Sequence, residues 1–190
     1  MEKTRTFIAI NLDSEIREYL FSIKNNLNLD ESKIKWVDKN NLHITLKFLG
    51  YISPEQIRLI NLGLKEIINK CSPFTIKLSS DIGVFPSYKM PRIIWVGIKE
   101  GANELKKLYN SIEIILYNNG FPKENKVFSG HITIGRVKYI KDKNNFINLL
   151  KNTYIECLSQ EVKSIELMES KLAPNGPIYN IIDKFPLLKK

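Results

Sequence analysis

The chain holds two histidines, and each stands in the same three-residue frame, His43-Ile44-Thr45 and His131-Ile132-Thr133. Both frames lie in apolar, β-branched runs, Asn41 to Gly50 and Ser129 to Arg136, that read as strands. Side chains alternate faces along a strand, so His43 and Thr45 share one face while Leu42, Ile44 and Leu46 share the other. The same holds for His131 and Thr133 against Ile132 and Ile134. An imidazole titrates near neutrality and a threonine hydroxyl can donate or accept a hydrogen bond, so each frame sets a proton carrier beside a polar arm. A lone strand histidine is commonly a hydrogen-bonded structural residue. Repetition of the whole frame argues instead for two related half-domains. If the halves face each other about a pseudo-twofold axis, the two His-Thr pairs converge on one cleft, where an anion would be flanked by two titratable groups.

The elements that must position these frames can be followed along the chain. Thr4 to Leu12 alternates as a first strand, with Arg5 and Phe7 on the face opposite Thr6 and Ile8. Asp13 or Ser14 caps a helix whose stripe is Ile16, Tyr19, Leu20, Ile23 and Leu27. Lys33 to Val37 is a short strand, and Asp38 to Asn41 is a polar turn leading into the first frame. Ser53-Pro54-Glu55-Gln56 opens a helix packing through Ile57, Ile60, Leu64, Ile67 and Ile68. Phe74 to Ser79 and Ile93 to Ile98 read as strands, with Phe85 to Arg92 between them as a loop that either borders a site or merely connects. A helix from Ala102 to Asn119 stops at Gly120, Asp142 starts a shorter one, and Val162 to Ser170 and Ile178 to Ile182 are final strands around the turn Pro174-Asn175-Gly176-Pro177. The pattern predicts an α+β fold. One two-lobed domain spans 1–190, with two mainly antiparallel sheets facing each other across a central cleft, helices outside and a pseudo-twofold repeat. No Gly-rich loop joins a strand to a helix, which excludes dinucleotide-binding and P-loop architectures.

The formal charge of +9 and pI near 9.4 favour acidic partners, nucleic acid or nucleotides first. Lysine is spread throughout, and Lys189-Lys190 is too short for an arm that wraps a duplex. Cys71 and Cys157 lack CxxC spacing, so they are expected as buried free thiols rather than a disulfide framework or zinc knuckle. No apolar run approaches the roughly 20 residues that span a bilayer, and Met1 to Arg5 leads into a strand rather than a signal-peptide core, so no membrane partner and a cytoplasmic location are expected.

Paired His-x-Thr frames in a small basic chain resemble the 2H phosphoesterase superfamily, and within it the RNA 2′,3′-cyclic phosphodiesterase family, also called 2′-5′ RNA ligase-like. Flanking stretches carry the likeness further: Arg5-Thr6-Phe7-Ile8-Ala9-Ile10, Asn41 to Gly50, Phe85 with Pro91 to Gly97, the second frame with Gly135-Arg136, and Glu169 to Leu172 leading to Gly176-Pro177-Ile178-Tyr179. Gly130 departs from it, standing where the family commonly has proline.

The resemblance implies hydrolysis of 2′,3′-cyclic phosphate RNA ends to 2′-phosphates. Such a reaction needs a water deprotonated on one side of phosphorus and a leaving ribose oxygen protonated on the other. His131 as base and His43 as acid would do both, with Thr45 and Thr133 donating to the nonbridging oxygens. The scheme calls for no metal and no other cofactor. The implied partners are RNA or nucleotides with cyclic phosphate ends, among them tRNA halves joined when an RNA 5′-hydroxyl replaces water, and a monomer suffices.

Other positions stay open at this level. Arg136 falls by strict alternation on the wrong face, whereas the resemblance places it near substrate, which predicts a bulge at Gly135. Phe7 and Tyr179 are either stacking platforms for a base or core aromatics. Lys47 follows the His43 face and either adds positive potential or is solvated. Arg92 lines the cleft or braces the proline loop. A non-catalytic basic RNA-binding module is the alternative function, and a metal hydrolase lacks the additional carboxylate or histidine such sites usually supply.

Overall fold

Each half of the sequence runs strand, helix, strand, helix, and the two runs are laid against each other in a computed structural model that describes residues 2–27, 32–174 and 176–188. The first run is β1 (Thr4–Asn11), α1 (Ser14–Asn26), a short β2 (Lys33–Trp36), β3 (His43–Ile52) and α2 (Pro54–Ile68). After β4 (Phe74–Ser87), the second run is β5 (Met90–Glu100), α3 (Ala102–Asn118), β6 (His131–Tyr139) and α4 (Lys143–Asn152). The last strands are β7 (Ser159–Val162), β8 (Ser164–Ala173) and β9 (Gly176–Pro186). Asn175 of the expected turn and the Lys189-Lys190 pair lie outside the described residues.

The helices form for the reasons their sequences suggest. Ser53 accepts from the Gln56 backbone while Gln56 Oε1 accepts from the Ser53 N–H at 2.9 Å, a closed capping box with Pro54 behind it. The stripes Ile16/Leu20/Ile23, Ile60/Leu64/Ile67 and Leu105/Leu108/Ile112/Leu116 are buried against one face of the sheet. No described helix is long and apolar enough to cross a membrane.

The two sheets expected from the sequence are halves of one curled antiparallel sheet, in the order β7-β4-β5-β6-β3-β1-β8-β9 with β2 added beside β6. Among the described residues the inner strands β3 and β6 pair at one rung, Ile44 opposite Ile132. That rung continues outward on both sides, Ile44 pairing with Ile10 and Ile132 with Val96, and all four side chains are buried. The outermost partners are exchanged between halves: β4, which follows α2, pairs with β5, and β8, which follows α4, pairs with β1.

Three elements differ from the sequence expectation. The stretch Phe85 to Arg92 is the tip of a long hairpin rather than a loop, because Pro86 faces Pro91 on one rung, where neither residue has an N–H to leave unpaired. The stretch Val162 to Ser170 is divided between β7 and β8 at Lys163. Cys71 and Cys157 are half-buried rather than buried, and neither forms a disulfide.

Lys47 is a further correction. Ile8 pairs with Lys47 and Ala9 with Thr45, so Leu46 is an extra residue and the bulge turns Lys47 to the helix side, away from His43. There, 4 % exposed, it forms an ion pair with Glu113 of α3 at 2.5 Å and donates to the Pro122 carbonyl at 2.8 Å. The other oxygen of Glu113 accepts from the Glu124 backbone, so the pair ties β3 to the segment that leads into β6. Removing one partner strands the other charge in the core. Lys47→Met is expected to lose about 3–5 kcal/mol in urea unfolding, and Lys47→Met with Glu113→Gln to recover part of it; equal losses in both would refute the buried pair as the cause.

Candidate active site

Because Ile44 and Ile132 face the helices, the residues on either side of them face the other way. His43, Thr45, His131 and Thr133 therefore occupy one face of two adjacent strands, the histidines at diagonal corners around the Ile44–Ile132 rung. Strand spacing and rise alone set the two Cα atoms roughly 8 Å apart. That leaves room for one small anion between the rings.

Both rings are held alike. His43 Nδ1 lies 2.7 Å from the carbonyl of Asn41, and His131 Nδ1 lies 2.7 Å from that of Ser129, in each case two residues back along the chain. A carbonyl only accepts, so each Nδ1 carries a proton and each Nε2 is the unprotonated nitrogen of the neutral ring. His43 Nε2 is 2.9 Å from Thr45 Oγ1, which donates to it. Asn41 is itself fixed, by the Asp38-capped turn before it and by its side-chain amide donating to the Pro177 carbonyl at 2.8 Å.

Aromatic rings wall each histidine. Phe7 and Tyr179 lie 4.9 and 5.3 Å from His43 by ring centroids, and Phe85 and Trp95 lie 5.1 and 6.0 Å from His131. Trp95 lies flat over Gly83, where any Cβ would fall inside the indole. Burial among these groups pushes His43 down to about 4; the Asn41 carbonyl pulls the other way, and Arg136 and His131 add to the depression. Burial also lowers His131, against the pull of the Ser129 carbonyl.

Arg136 reaches this face through the break expected at Gly135. Ile94 pairs with Gly135 and Trp95 with Thr133, so Ile134 is the extra residue and Arg136 is turned to the histidine side. Its charge acts on both His43 and Tyr179. The bulges at Leu46 and Ile134 occupy equivalent places in the two strands, and Phe48 is the counterpart of Arg136. Phe48 is 61 % exposed, with its ring 6.2 Å from Phe7. Sequence reasoning missed Phe48 for the reason it misplaced Lys47: nothing in Leu46-Lys47 announces a bulge as Gly135 does.

The remaining candidates fare differently. Phe7 is 3 % exposed, packed with Ala9, Met168 and Tyr179, which matches the core reading and leaves no free face for stacking. Tyr179 is half-buried and lies edge-on to both Phe7 and His43. Arg92 is exposed, the extra residue opposite the Phe85–Pro86 step, and makes no ion pair or hydrogen bond among the described residues. Trp95 was legible as a strand residue but not as a wall for His131; its pairing with Thr133 is the missing fact. A groove of about 550 Å³ between α2 and α3, lined by Cys71, Pro73, Leu108 and Ile115, contains none of these residues.

The family model described as LigT-like phosphoesterase matches the chain twice, over residues 10–95 and 96–179. The matches begin at Ile10 and Val96, the two residues that pair with Ile44 and Ile132. An RNA 2′,3′-cyclic phosphodiesterase of Aquifex aeolicus is 37% identical over 98% of this chain and 99% of its own. Another of Methanocaldococcus jannaschii is 37% identical over 95% and 99%. Among solved structures, Escherichia coli LigT complexed with 3′-AMP superposes with a TM-score of 0.83 at 26% identity, covering 99% of this chain and 100% of that one. A Thermus thermophilus protein, TT0787, gives 0.83 at 25% identity over 96% and 97%.

Both depressed histidines bind fewer protons folded than unfolded below pH 6.5, so acidification through that point toward pH 4 removes stability, by up to about 3 kcal/mol for His43. In an NMR titration both imidazoles should be neutral at pH 7, with His43 protonating near pH 4. Inorganic phosphate should move both midpoints upward. An unshifted His43 midpoint near 6.5 would contradict the desolvated ring.

Proposed function

The chain belongs to the LigT-like phosphoesterase family and is an RNA 2′,3′-cyclic phosphodiesterase, and we propose that His43 and His131 are the acid and base that open the cyclic ester. The observation that carries this reading is the matched anchoring of two imidazoles by carbonyls at the same spacing, on one face and around one rung.

His131 is the base: Nε2 takes a proton from water, whose oxygen forms the new bond to phosphorus. The bond from phosphorus to the 3′-oxygen breaks on the opposite side, and His43 delivers a proton from Nε2 to that oxygen, leaving a 2′-phosphate. Thr45 and Thr133 donate to the nonbridging oxygens, and Arg136 offsets their charge. Phe48 presents exposed aromatic surface for the terminal base and half-buried Tyr179 a part of its ring, with Phe7 as the packing behind them.

Burial keeps both rings neutral, whereas the cycle needs one of them charged. The missing proton is therefore supported by the substrate: an anionic phosphate between the rings offsets the depression that burial and Arg136 impose. With an RNA 5′-hydroxyl attacking phosphorus in place of water, its proton taken by His131 and the 3′-oxygen leaving with a proton from His43, the same cleft joins ends through a 2′-5′ linkage, tRNA halves being suitable substrates. One chain supplies every group named, so a cytoplasmic monomer suffices.

His43→Ala and His131→Ala should each lower kcat on a 2′,3′-cyclic nucleotide by about 10²–10⁴-fold, and the wild-type product should be the 2′-monophosphate by chromatography. Unchanged turnover in both variants, or a 3′-monophosphate product, would sink the assignment. The free enzyme must hold one proton on two depressed histidines, so kcat/KM should fall about tenfold per pH unit above pH 6.5.

A further inference from the structure

Lys35 has no part in the acid–base scheme, yet its placement is costly unless it is used. It lies on β2 directly opposite Arg136 of β6, and both side chains are exposed. Its neighbours Ile34 and Trp36 pack against the helix-side core, so Lys35 projects with Arg136 on the histidine side. Like charges directly opposed across strands destabilise a sheet. No carboxylate relieves them, since neither residue takes part in an ion pair among the described residues.

The amine is also aimed. Lys35 Nζ lies 3.6 Å from where a Cβ on Gly176 would sit, at the start of the strand that carries Tyr179. Asn41, which orients His43, holds the next residue of that strand through the Pro177 carbonyl. Arg5 also acts on Tyr179, its guanidinium 3.3 Å from Ser170 Oγ, and Ser170 pairs with Tyr179 across β8 and β9. Lys35 and Arg136 therefore stand together on the histidine side, beside the start of the strand that carries Tyr179. Measured along β5, where Trp95 pairs with Thr133 and Ile93 with Arg136, Arg136 lies two residues beyond Thr133, roughly 7 Å.

We propose that Lys35 is the binding cation of a second phosphate subsite, which takes the phosphodiester joining the terminal nucleotide to the rest of an RNA strand. The inference rests on the phosphodiesterase reading and narrows its substrate class. A 2′,3′-cyclic phosphate uses both the 2′- and 3′-oxygens of its ribose, so the strand continues only through the 5′-oxygen. In hydrolysis, where water is the nucleophile, the next phosphate of the substrate is that 5′-linked diester. A mononucleoside cyclic phosphate has nothing to place there.

The test compares adenosine 2′,3′-cyclic phosphate with the dinucleotide ApA ending in the same cyclic phosphate. Lys35→Met should lower kcat/KM on the dinucleotide about tenfold and leave the mononucleotide within about twofold. The slope of log(kcat/KM) against log salt for the dinucleotide should shrink by about 0.7, the loss of one single-strand phosphate contact. Lys35→Arg should retain the preference, and Lys35→Glu should abolish it while raising the Tm by giving Arg136 an opposite charge. Equal losses on both substrates, no loss on either, or a lowered Tm in Lys35→Glu would overturn the subsite. If the wild-type chain opens neither substrate, the phosphodiesterase reading falls and the subsite with it, so the two failures are distinct.

Discussion

The structure hangs on the rung between Ile44 and Ile132. It is where the two halves of the sheet join, and it fixes which way both His-x-Thr frames face. Burying these isoleucines with Ile10 and Val96 leaves the histidines and threonines no face but the opposite one. A slip of one residue in either strand would turn an imidazole into the helical layer and an isoleucine into the cleft. Apolar packing on one side of the sheet thus sets the arrangement of histidines and threonines on the other.

The twin bulges add what alternation cannot. In both central strands an extra residue follows the His-x-Thr frame, so the next position is drawn to the core and the one after it returned to the cleft. In β6 the drawn-in position is Gly135, small enough to lie against Trp36 and Ile34. In β3 it is Lys47, whose charge has to be matched by Glu113. The returned positions, Phe48 and Arg136, give the cleft an apolar rim on one side and a cationic one on the other. These two positions add to the asymmetry already set by the different aromatic walls of the two histidines.

Much of the architecture was legible in the sequence because the signals were local. The Ser53 to Gln56 cap, the three helical stripes and the repeated frame are each contained within a few turns or strand residues. The bulge beside Gly135 was legible because glycine advertises it. What was not legible depended on partners distant in the chain. Leu46 looks like any strand residue until Ile8 and Ala9 are seen to skip it, and Lys47 looks solvated until Glu113 is found on α3. The hairpin tip was hidden by Pro86 and Pro91, each a strand breaker alone, harmless when opposed. Phe7 shows a limit of another kind: its motif suggested contact with a base, and only the packing of Met168 and Tyr179 shows how little of the ring is left to touch.

The exchange of β4 and β8 between the halves bears on how such a chain could be assembled. Each lobe closes its sheet with a strand encoded in the other half of the sequence, so a chain cut between the two repeats would leave two open edges rather than two finished lobes. A single repeat could complete itself only by lending its last strand to an identical copy and borrowing one back. Covalent fusion of two such copies would keep the reciprocal loan while freeing each copy to diverge, one toward Phe48 and the other toward Arg136.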